Sequence, residues 1–101
     1  MLRTTTGHAR DRHGRIASEM LAHAVVKRAT RRATGLPPRE RPINVGVYVA
    51  SVELGLGTAR VCRAIEMWKP QARRTIRRLE DLRDRDDYDR VLTSAAAGAL
   101  A

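Results

Sequence analysis

Gly57–Leu82, GTARVCRAIEMWKPQARRTIRRLEDL, decides the fold. Thr58 is a suitable N-cap, and Val61, Ala64 and Ile65 recur at helical spacing behind it, with Cys62 as a small filler among them. Glu66-Met67-Trp68-Lys69 breaks that pattern, and Pro70 suits the first turn of a new helix. In this second helix Ala72, Ile76, Leu79 and Leu82 or Arg83 follow a spacing of about 3.6 and form the core side. Gln71, Arg74, Thr75 and Arg78 fall on one flank, and Arg73 and Arg77 on the far side. The segment predicts a short helix, a tight turn, and a longer helix with an apolar back and an arginine-loaded front.

That arrangement is how a helix-turn-helix enters the major groove of DNA. The first residues of such a helix reach base edges and later ones meet phosphate. Lys69, Gln71 and Arg74 are therefore assigned to bases, and Arg73, Arg77 and Arg78 mainly to phosphates. Trp68 has two readings. Its size favours packing onto Ile65 and Ala72, fixing the angle between the helices. The alternative stands it at the groove wall, against sugar or a thymine methyl.

The flanks read as support. Ala17, Leu21, Val25, Ala29 and Ala33, with Met20 and Ala24 beside them, predict a helix from about Gly14 to Thr34. Gly35 and Pro37-Pro38 stop it. Its basic end includes Lys27, Arg28, Arg31 and Arg32, and the loop 35–41 adds Arg39 and Arg41. Cations at a helix C-terminus favour the helix dipole in their own right. Arg31, Arg32, Arg39 and Arg41 are further candidates for phosphate contact. Pro42 opens a helix to about Leu54 with Ile43, Val47, Ala50 and Leu54 on one face and Val45, Val49 and Val52 on another, which marks it as central. Asp86 or Asp87 caps a last helix with Tyr88, Val91 and Leu92 inward. Residues 1–13 read as a flexible basic arm, 14–92 as the domain, and 93–101, TSAAAGALA, as a frayed tail.

Composition narrows the partner. Of 101 residues 43% are hydrophobic but only 3% aromatic, so the core is aliphatic and the fold class is all-α, a small helical bundle. Net charge is +9, which favours an anionic partner, with duplex DNA first. Only Lys27 and Lys69 are lysines; arginine binds phosphate bidentately and reads guanine. A basic helical module docking on an acidic protein such as RNA polymerase is the alternative. Three aromatics are too few to favour RNA recognition by stacking.

A single cysteine, Cys62, forms no intrachain disulfide and no zinc-finger site. His8, His13 and His23 pair with no nucleophile in sequence, so no catalytic residue, metal or cofactor is expected and the chain does not read as an enzyme. No apolar run suits a membrane span or signal segment, and the expected location is cytoplasmic, at the nucleoid.

From Arg41 to Glu80 the chain resembles the C-terminal DNA-binding domain of the bacterial replication initiator DnaA. The resemblance is carried by Arg41-Pro42, NVGVYVASVELGL, ARVCRAI and the closing Arg77-Arg78-Leu79-Glu80. It covers about forty of the 101 residues, with weaker similarity from residue 16. The family's Gly-Arg-Asp-His-Thr-Thr stretch is replaced by one containing Met67-Trp68-Lys69-Pro70-Gln71. In the family the Asp, His and Thr of that stretch read bases, and the matching positions are Trp68, Lys69 and Pro70, with Gln71 at the second Thr. The resemblance thus implies the helix-turn-helix but not the initiator's own binding sequence. The chain has no room for an ATPase domain. Its use in a transcription regulator is what the resemblance implies, since some alphaproteobacterial regulators, including activators of gene transfer agents, carry a similar module.

Overall fold

The computed structural model describes the backbone of residues 2–100 and the side-chain surroundings of residues 17–100. Among these residues it is all-α. α1 spans Leu2–Arg32, α2 Pro42–Tyr48, α3 Thr58–Ile65, α4 Lys69–Leu82 and α5 Asp86–Leu100. α1 is the spine against which α2, α3 and α5 pack. It extends back through the residues read as an arm, so their backbone is helical.

The buried side of α1 is Ala22, Val25, Val26, Ala29 and Ala33. The expected row from Ala17 through Leu21 is only partly right: Leu21 is 53% exposed and Met20 69%. Four residues turn a helix by about 400°, so a strict i, i+4 row drifts about 40° per step and leaves the core side within a few turns. The observed row mixes steps of three and four and stays on one face.

Gly35, at φ 82°, lies just beyond the end of α1, and Pro42 opens α2 as expected. Every residue from Val45 to Ser51 is buried. α2 crosses α1 at Gly46, where a Cβ would collide with Thr30 Oγ1 and lie 2.7 Å from the Val26 carbonyl oxygen. Thr30 Oγ1 donates to that same carbonyl at 2.7 Å. Glycine is required here by proximity rather than by backbone angle. Gly46→Ala is expected to lose about 2 kcal/mol of stability through overpacking, although alanine is the better helix former. A thermal melt no lower than that of the parent would contradict the close crossing.

After Tyr48 the helix widens into a π turn, Val49–Glu53, closed by the Leu54 N–H donating to the Val49 carbonyl at 2.9 Å. The extra residue shifts the register, and Val52, expected inside, is 40% exposed. Gly57, not Thr58, occupies the N-cap of α3. Its φ of 86° suits glycine, and Thr58 becomes the first helical residue.

The ending read as frayed is the second half of α5. Ala95 and Ala99 are 0% and 1% exposed, continuing the Tyr88, Val91, Leu92 face. Small side chains let α5 lie close to α1. At Gly98 a Cβ would meet Arg32 Cγ at 2.6 Å. Alanine content that reads as low complexity serves here as close packing.

Candidate nucleic-acid interface

α3 ends in a Schellman-type turn. Glu66 takes the left-handed conformation at φ 55°, and the Met67 N–H donates to the Cys62 carbonyl at 3.0 Å. Trp68 is extended and its carbonyl accepts from Ala72 N–H at 3.2 Å, which starts α4. Val61 and Cys62 of α3 and Ala72 and Leu79 of α4 are buried, with Ile65, Ile76 and Leu82 packed beside them. This burial orients α4. Its outer surface is Lys69, Gln71, Arg73, Arg74, Arg77 and Arg78, all exposed. Among the described residues Lys69, Gln71, Arg73, Arg74 and Arg77 enter no side-chain hydrogen bond or ion pair with other residues.

Arg78 is different. Assigned to phosphate from sequence, it grips Glu40 with both terminal nitrogens, Nη2 at 2.9 Å from Oε2 and Nη1 on Oε1. The Glu40 side chain is 1% exposed. It also accepts from Asn44 Nδ2 at 2.8 Å and from the Tyr88 hydroxyl at 3.3 Å. The Arg78 hydrogen bonds hold the Glu40 carboxyl below its ordinary pKa against the opposing effect of burial. The same bonds raise Arg78, and burial raises the Tyr88 phenol. Arg78 is therefore a joint that ties α4 to the loop before α2 and to α5. A solitary carboxylate between Arg39 and Arg41 was the one sequence signal for it.

The joint has a second consequence. It fixes the backbone carrying exposed Arg39 and Arg41 next to α4. Arg31 lines an open groove of about 660 Å³ with Lys27, Ile43, Ala64, Ile65 and Glu66, at the end of α3. All ten cationic and polar candidates are exposed; of them Arg78 is held by Glu40 and the Arg32 stem lies along Gly98 of α5.

Trp68 does not pack as expected. It is 66% exposed, while Ile65 and Met67 supply the half-buried contacts of the turn. Val61, Cys62, Ala72 and Leu79 form the buried seam between α3 and α4, and Trp68 stands outside it. Arg83, at the end of α4, pairs with Glu53 and lies 5.8 Å from the centre of the Tyr48 ring. It is a second tie from α4, to the π turn.

Cys62 is buried, and its burial pushes the thiol up against the pull of Lys69 and Arg73, so it is a poor nucleophile. Among the described residues no group of three His, Cys, Asp or Glu side chains is placed to hold a metal. Nor is any described helix long and apolar enough to cross a membrane. No family model, curated protein or solved structure matches this chain.

Proposed function

We propose that this chain binds double-stranded DNA, with α4 in the major groove and α3 bracing it, as part of a transcription regulator. The observation that carries this reading is the set of four cations and a glutamine on one exposed helix surface, without an intramolecular partner among the described residues. Like charges gathered at this density repel each other, and a polyanion relieves the repulsion. Gln71 suits adenine and Lys69 or Arg74 suits guanine; Arg73 and Arg77 suit phosphate. Arg31, Arg39 and Arg41 extend the contact beyond α4. The resemblance to the DnaA DNA-binding domain agrees with the order of these helices. A chain working this way resides at the nucleoid.

The test is retention of random duplex DNA as a function of salt. About six phosphate contacts give a log–log slope on the order of −5. A slope near zero would remove the DNA-binding reading and leave an acidic protein partner, RNA polymerase among the candidates, in its place.

A further inference from the structure

An exposed indole presents a large apolar surface to water, and such side chains are enriched at interfaces; this chain has one tryptophan. It stands 66% exposed at the N-cap of α4, directly before Lys69. Its backbone starts the helix through the Ala72 N–H, but that role needs no indole. The end of α4 that it marks is the end a recognition helix directs at base edges. The neighbouring Lys69 and Gln71 offer hydrogen bonds and charge; Trp68 alone in this turn offers a large exposed apolar surface. The apolar feature of the major groove is the C5 methyl of thymine.

We propose that Trp68 is a specificity residue that reads thymine by burying its C5 methyl against the indole. The inference rests on the DNA-binding reading and adds to it a named chemical group on the DNA. It accounts for an exposed indole by giving it a dry partner in the complex. It also separates recognition into two kinds of contact at one helix end: hydrogen bonding by Gln71 and Lys69, and apolar contact by Trp68.

The probe is the pool that the full chain enriches from random duplex DNA, re-amplified with thymidine or with deoxyuridine triphosphate. The two versions differ only in the methyl. The parent protein is expected to bind the thymine pool about fourfold more tightly for each methyl buried. Trp68→Ala is expected to bind both alike, with an unchanged melting temperature and an unchanged salt slope. Trp68→Phe, which keeps an apolar ring, retains part of the preference. Because Trp68 is the only tryptophan, its fluorescence reports on itself: the thymine pool shields it from acrylamide more than the uracil pool does. Equal affinity of the parent for the two pools overturns the inference while leaving DNA binding intact, as does a preference that survives in Trp68→Ala. Tighter retention of the separated single strand also overturns it, in favour of base stacking. Failure to bind any duplex overturns the DNA-binding reading and the inference together.

Discussion

Arg78→Ala is expected to lower the unfolding free energy by about 3 kcal/mol near neutral pH, because it strands a buried carboxylate. Glu40 is the group that suffers; Arg78, itself 46% exposed, only loses a partner. The effect has a pH signature. In the parent, Glu40 titrates below its ordinary value of 4.5, so its contribution is fully present above that value. It is lost as the pH falls through the lowered value. Without Arg78 the largest remaining influence on Glu40 is burial, which raises its pKa. The variant's deficit is then full near neutrality and shrinks as Glu40 takes up a proton. The stability curves of parent and variant converge in acid. Denaturant unfolding from neutral pH to below 4.5 checks this, and a gap that stays constant over that span would remove the buried pair as its cause.

Replacing Arg73, Arg74 and Arg77 together by alanine tests the opposite kind of arginine. None has an ion-pair partner among the described residues, so stability is expected to stay within about 0.5 kcal/mol. On the proposed reading DNA affinity falls about a hundredfold to a thousandfold at low salt. The salt slope loses about 2–3 in magnitude. A triple variant that keeps the parent's slope would mean that DNA, if bound, is held elsewhere. The two experiments cross: Arg78→Ala changes folding and reaches DNA only through folding, whereas the triple variant does the reverse.

Residues that differ by one position in the same helix thus take different roles, and this marks how far the sequence could be read. The inner element boundaries were legible because they rest on local chemistry: Gly35 with Pro37-Pro38, Pro42, Gly55 and Pro70; the start of α1 and the end of α5 carry no such residue and lie further out than expected. So was the inner side of α4, because Ala72 and Leu79 sit at helical spacing in an otherwise charged stretch. The Glu40–Arg78 pair was not, since it joins positions 38 apart and spacing says nothing about which cation a lone acid will find. The side of α1 was half legible: its small and aliphatic residues offer two overlapping rows, and only the crossing at Gly46 selects one. Residues 93–100 carried no contrast between faces, and their packing depends on Gly98 meeting Arg32 across the bundle. Trp68 was misjudged because size argues for burial only where a cavity exists, and the α3–α4 seam is filled by smaller residues.

Of the fourteen residues of α4 only Ala72 and Leu79 are buried, against five of fifteen in α5. An element with so few apolar anchors detaches at little cost, so its residence on the bundle depends on the polar ties made by Arg78 and Arg83. Opening of α4 is therefore expected to be coupled to proton uptake. As Glu40 is neutralised one tie weakens, and the helix comes away by local unfolding before the spine of α1 and α5 separates. Amide exchange in acid would then report two separate events rather than one, with α4 the least protected part of an otherwise intact bundle.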